Sequence, residues 1–194
     1  MAFIYTVPEH EAQGMLHDLY QANLNTLGYV ANYTRAFSLR PEVMRAWQGL
    51  IGAIAANMDR RHYELATLAA ATALRSSYCS LAHGKVLRQF YSDGEITELA
   101  KGGAHPLEPA EAALMAFARK VVLHADQVTQ EDIDGLRAHG FADASIVDIA
   151  LAAAARCFFS KTLDALGAEP DRAYGDLGPE LREALTVGRA ISRG

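Results

Sequence analysis

Cys79 and His83 stand four residues apart in the stretch SSYCSLAHGKVL, a spacing that puts sulfur and imidazole on one face of a helix. A thiolate is a nucleophile, and a neighbouring histidine together with the positive end of a helix dipole draws a thiol pKa toward neutrality. Ser76 and Ser77 offer a hydroxyl cap just upstream, which would put Cys79 in the first turn, where the dipole acts most strongly. Glu64 lies at a sequence distance that lets it face the same pocket, where a carboxylate can orient the imidazole or relay its proton. Free cysteine is also among the most buried residue types, and a Cys and a His on one helix often only pack. Spacing alone leaves both readings open.

Such residues need helices to position them, and helical periodicity covers most of the chain. A first helix is expected from about Pro8 to Leu27, with Met15, Leu16, Leu19, Tyr20 and Leu24 inward and Gly28 closing it. A second is expected from near Ser38, where Ser-Leu-Arg-Pro-Glu supplies a capping hydroxyl and an entrance proline, with Val43, Trp47, Leu50, Ile51 and Ile54 inward. Asp59 should cap a third, bearing Glu64, and Ser76-Ser77 a fourth from Tyr78 to Phe90. After a turn at Ser92-Asp93-Gly94 come a short helix near Ile96 to Lys101 and a connector, Gly102-Gly103-Ala104-His105-Pro106. Helices from Pro109 to His124, Gln130 to His139 and Ala144 to Leu166 follow, with a short one from Pro179 to Gly188. No segment alternates with period two, so the fold class is all-α, a helical bundle without sheet. The halves on either side of the Gly-Gly loop have a similar helical layout but no exact repeat.

The 194 residues suffice for one domain with a sizeable core, read as spanning 1–194. A formal charge of −5 supplies no basic field for a phosphate backbone, so nucleic acid is not an expected partner. The stretch MAFIYTVPEHEAQG does not read as a secretory signal. The longest apolar run, Ile146 to Phe159, is interrupted by Asp148 and Arg156 and is too short for a bilayer, so no membrane partner is expected. The expected location is the cytoplasm, where Cys79 and Cys157 would be reactive or buried thiols rather than a structural bridge. Cys157, in alanine-rich surroundings, reads as a buried core thiol. His10, His17, His62, His105, His124 and His139 lack metal-ligand spacing, and Gly102-Gly103 lacks the strand and helix of a phosphate loop; no metal and no cofactor are called for. Tyr33, Phe37, Trp47 and Tyr63 read mostly as core, with one or two available to line a substrate pocket.

The pattern Glu64, eleven residues, Ser76-Ser77-Tyr78-Cys79, three residues, His83 resembles the AhpD-like alkylhydroperoxidase and carboxymuconolactone decarboxylase superfamily. Its redox members carry Glu and then Cys-x-x-Cys-x-x-x-His at this spacing. LGYVANYTRAFSLRPEVMRAW before the motif and RCFFSKTLDALGAEPD after it resemble the peroxidase-related branch, so nearly the whole chain is covered. The resemblance implies an AhpD-like helical bundle, a homo-oligomer (trimer or hexamer) and a small-molecule substrate, either a hydroperoxide or a small carboxylate. By position, Cys79 matches the second motif cysteine, His83 the motif histidine and Glu64 the acid of the proton relay. Tyr78 precedes the cysteine, where redox members often have Tyr or His.

Ser76 departs from the pattern, because it occupies the place of the first motif cysteine. In a complete motif one thiolate attacks the peroxide, becomes a sulfenic acid and condenses with the other cysteine; serine cannot form that disulfide. The resemblance therefore implies a thiol-dependent peroxidase, an oxidoreductase of antioxidant type, whose Cys79 is resolved by Cys157, a small thiol or a reductant protein. Two alternatives stay open: a decarboxylase-like lyase or isomerase using Glu64 and His83, and a non-catalytic oligomeric binding protein.

Overall fold

One helix, α4, meets neighbours on every side, and its sequence says why. Along α4 (Arg60–Ala73), Leu65, Ala66, Thr67, Leu68, Ala69, Ala70 and Ala71 are all inaccessible to solvent. A helix that is apolar all round must be enclosed, and its alanines let the enclosing helices come close. The computed structural model describes residues 2–103 and 107–193. Among them are ten α-helices, three short 3₁₀ segments and no strand.

In chain order α1 is Gly14–Leu27, α2 Asn32–Ala36, α3 Pro41–Ala55, and, after α4, α5 is Ser77–Leu87 and α6 Asp93–Ala100. Then come α7 (Pro109–His124), α8 (Gln130–Ala138), α9 (Asp143–Ala165) and α10 (Pro179–Leu185). Helices α5, α7 and α9 pack against α4, α3 lies on α9, and α10 bridges α5 and α6. Leu68, Leu81, Leu114, Ile149 and Leu163 sit at the centre of the core; burying each stabilises the fold by roughly 1.5–3 kcal/mol.

Several entrances work as the sequence suggests. The Asp59 side chain accepts from the His62 N–H at 3.1 Å and caps α4. Gly28 closes α1 in the left-handed region at φ 80°, which glycine adopts without a Cβ clash. Other expectations are corrected. The first helix divides: Glu9–Glu11 is a 3₁₀ turn and α1 begins only at Gly14. The helix expected from Ser38 starts at Pro41, because the Ser38 hydroxyl accepts from the Val7 N–H at 2.9 Å instead of capping. Ser76 is the N-cap residue of α5, but its side chain makes no capping bond. Ser92, taken for a turn, is the cap of α6 in a reciprocal box with Glu95. Met15 and Leu50, expected inward, are exposed. Of the connector, Gly102 and Gly103 follow α6, whereas 104–106 lie outside the described residues.

The α4–α5 junction carries the candidate thiol and is held from a distance. Arg75 turns the chain in the left-handed region at φ 56°, which is costly for a residue with a side chain. Gly188, far along the chain, docks there: its N–H donates to Ser77 Oγ at 2.8 Å. A Cβ at 188 would stand 2.0 Å from the Arg75 carbonyl oxygen. Gly188→Ala should therefore lower stability by about 1–3 kcal/mol, the range for overpacking, read as an earlier urea midpoint with an unchanged slope.

Candidate active site

A cavity of about 390 Å³ opens beside this junction. Met44, Trp47 and Ile51 of α3, Tyr63 of α4, Tyr78, Cys79 and His83 of α5, and Arg156 and Phe159 of α9 line it, with Tyr33 and Tyr174 at its edge. Its wall is aromatic. Trp47 stacks on Phe159 with ring centres 4.8 Å apart, and Phe37 stacks on Phe159 behind it at 5.8 Å. Tyr33 meets both Tyr78 and Phe159 edge-on.

Helix α5 brings Cys79 and His83 to the same cavity, but each makes its hydrogen bonds elsewhere. Cys79 is buried, and the Ser160 hydroxyl of α9 donates to its Sγ at 3.2 Å. His83 Nδ1 lies 2.7 Å from Glu64 Oε2, and Nε2 lies 3.1 Å from Arg156 Nη1. A guanidinium only donates, so Nε2 accepts from Arg156, and the neutral ring carries its proton on Nδ1, which donates to Glu64. Glu64, His83 and Arg156 thus form a continuous hydrogen-bonded chain across α4, α5 and α9. Burial holds the His83 pKa below its ordinary value; the bond to Glu64 raises it and the Arg156 charge lowers it further.

Tyr78 presents its ring to the cavity and turns its hydroxyl away. The hydroxyl donates to Asp171 Oδ2 and accepts from the Tyr33 N–H at 3.1 Å. Burial and the adjacent Asp171 keep the phenol protonated, its pKa far above ordinary. Burial also raises the Asp171 carboxyl, opposed by donation from the Asn32 N–H at 2.8 Å. Ser76 is fully buried and does not line the cavity; its hydroxyl finds no hydrogen-bond partner among the described residues. Cys157 is only half-buried rather than a core thiol, and both cysteines are free. Its neighbours Arg156 and Ser160, not Cys157, are the α9 residues that reach the site. A larger cavity, about 600 Å³, is lined by Tyr29, Arg35, Asp171 and Arg172. It holds no thiol or imidazole, and the Tyr78–Asp171 bond stands between the two.

Arg156 and Ser160 are absent from the sequence-derived site, although four-residue spacing on one helix pairs them as it pairs Cys79 with His83. The visible sign was Arg156 itself, a charge interrupting an apolar run. His62 faces away from Glu64, its ring 5.6 Å from that of Phe141.

Residues 41–120 match the carboxymuconolactone decarboxylase family. No curated protein is similar enough in sequence to count as a match. Among solved structures, the chain is similar to an alkylhydroperoxidase AhpD core, an uncharacterized peroxidase-related protein from Ralstonia eutropha JMP134. The two are 22% identical with a TM-score of 0.81, over 89% of this chain and 94% of that one. A peroxidase-related protein from Silicibacter sp. TM1040 is 22% identical with a TM-score of 0.71, over 85% and 91%. A variant of the debrominase Bmp8 with 2,3,4-tribromopyrrole is 16% identical with a TM-score of 0.71, over 94% and 95%. The family match thus covers the stretch from α3 to α7, and the solved structures share the helical fold over most of the chain.

Because the folded His83 takes up a proton less readily than the unfolded one, the unfolded state binds more protons as pH falls through 6.5. Stability contributed by neutral His83 is complete above that value and is lost toward the lower folded pKa. Between about pH 7.5 and 5.5 the wild type should lose more unfolding free energy than His83→Gln, measured by urea titration at each pH.

Proposed function

We propose that the chain is one AhpD-like domain acting as a thiol-dependent peroxidase, with Cys79 as nucleophile. What supports this reading is the setting of the sulfur: buried among aromatic rings, accepting from Ser160 at 3.2 Å, and sharing its cavity with His83 and Arg156. The Ser160 hydroxyl holds the sulfur in place, and the guanidinium adds positive charge to the cavity that a leaving oxyanion would meet. The thiolate attacks the terminal oxygen of a hydroperoxide; an S–O bond forms, the O–O bond breaks, and sulfur is oxidised to sulfenic acid. The leaving alkoxide takes the proton first removed from the thiol, with His83 as carrier and Glu64 holding its ring. An external thiol then condenses with the sulfenic acid, releasing water, and a second thiol opens the mixed disulfide. Ser76 cannot do this, and Cys157 does not line the cavity.

The Glu64–His83 pair at 2.7 Å and the family match favour a second reading, a lyase or isomerase that moves protons without sulfur chemistry. The two separate cleanly. Under the peroxidase reading, cumene hydroperoxide leaves a trappable sulfenic adduct on Cys79, seen by mass spectrometry, and Cys79→Ser abolishes turnover. Under the lyase reading no adduct forms, and Cys79→Ser stays active where His83→Gln does not. Ser160→Ala should slow adduct formation about tenfold, the worth of a hydrogen bond to a charged group. Bmp8 holds a small brominated ring, so halogenated aromatics belong in the same substrate screen.

We also propose a homo-oligomer in the cytoplasm. Val147, Leu151 and Phe158 are exposed on α9, four and seven residues apart and so on one face, an apolar stripe that a second copy would cover. No helix among the described residues is long and apolar enough to cross a membrane. Light scattering should return a multiple of the 21.0 kDa chain mass, and Leu151→Glu should shift it toward that mass; a monomeric wild type refutes the assembly.

A further inference from the structure

Arg156 is a cation taken almost wholly out of water, 4% exposed, with no carboxylate within 4.0 Å among the described residues. Its guanidinium carbon lies 4.9 Å from the centre of the Trp47 ring and 5.6 Å from that of Phe159. Nη1 donates to His83 Nε2, and the buried Nε–H has no acceptor among the described residues. A guanidinium supplies five donors in a planar fork suited to a carboxylate, and here neutral imidazole is the one hydrogen-bond partner it has among the described residues. That bond also has a chemical cost. The lone pair of Nε2, which a base would use on the Cys79 thiol, is already taken, while Nδ1 is committed to Glu64.

From these contacts we infer that Arg156 is a carboxylate anchor that doubles as a latch on His83. A flat or ring-shaped apolar molecule bearing a carboxylate lies against Trp47 and Phe159, its anionic end draws the guanidinium off Nε2, and His83 is released as a base. Arg156 is thus a positioning and specificity-determining residue. The inference rests on the peroxidase reading only in naming Cys79 as the thiol that the freed base serves; binding and release involve no peroxide. Groups facing His83 from the packed elements are Glu64 and Tyr63 of α4, Cys79 of its own helix and Arg156 of α9.

Cyclohexanecarboxylate and its neutral amide are the probes, titrated calorimetrically into the full chain, with the His83 imidazole followed by ¹⁵N NMR and assigned through His83→Gln. The carboxylate should bind at least tenfold more tightly than the amide and move the His83 titration upward. In Arg156→Met the preference should vanish and the titration should start higher and no longer respond. Arg156→Lys, which keeps the charge without the fork, should retain a reduced preference and guards against a folding defect in the Met variant. Equal binding of acid and amide, a preference that survives in Arg156→Met, or binding that leaves the His83 titration in place overturns the inference. The sulfenic adduct on Cys79 is measured with cumene hydroperoxide both with and without cyclohexanecarboxylate: its absence in both would sink the peroxidase reading and leave the anchor, read by binding and by the His83 titration, standing.

Discussion

A charge buried among aromatic rings is tolerated only while other groups answer it, since an uncompensated ion costs several kcal/mol to remove from water. Arg156 meets this constraint through an imidazole. Glu64 and Arg156 are opposite charges on different helices, and His83 stands between them with one nitrogen turned to each. The ring is neutral but directional, so it passes polarisation from carboxylate to guanidinium without being a partner to either in the usual ionic sense. Three helices therefore meet at a point where apolar packing alone would not align them. Loss of the imidazole leaves both groups without the ring between them, and loss of Glu64 leaves the Nδ1–H without its acceptor. The aromatic stack of Trp47 and Phe159 supports the remaining face of the guanidinium.

The same dependence explains how much was legible in the sequence. Cys79 and His83 were readable because four-residue spacing is a property of one helix, and Glu64 because the superfamily pattern places it. Ser160 and Arg156 were not, because their approach to α5 is made by packing between helices far apart in sequence, for which one chain carries no period. The long helices were largely legible for the same local reason: Pro109–His124 stands as read, and α9 within a residue of its expected limits. Five-residue α2 is too short to show a period. Ser38 and Ser76 show the limit of residue type as a signal, since one hydroxyl bonds to a distant N–H and the other caps nothing. Leu50 and Met15 kept the period of their helices and yet face outward, because periodicity marks a stripe and says nothing of its width.

Tyr78 illustrates a division of labour within one residue. Its ring forms part of the cavity wall, and its hydroxyl is spent on Asp171, in the segment after α9. Asp171 also accepts from the Asn32 N–H, at the start of α2, so one carboxylate joins the ends of two otherwise separate elements. A phenol so held stays protonated, with its hydroxyl tied to Asp171 and to the Tyr33 N–H rather than turned to the cavity.

The docking of Gly188 against Arg75 and Ser77 has a temporal side. Cys79, His83 and Glu64 belong to the first half of the chain, whereas Arg156, Ser160, Asp171 and Gly188 belong to its last quarter. Contacts between residues so distant close late, because the entropy of the intervening loop must be overcome first. A ribosome adding about 5–20 residues per second leaves several seconds between the emergence of the thiol and that of the residues that enclose it. During synthesis Cys79 is an ordinary cysteine without its Ser160 donor or its arginine-lined chamber. Its enclosure belongs to the finished chain.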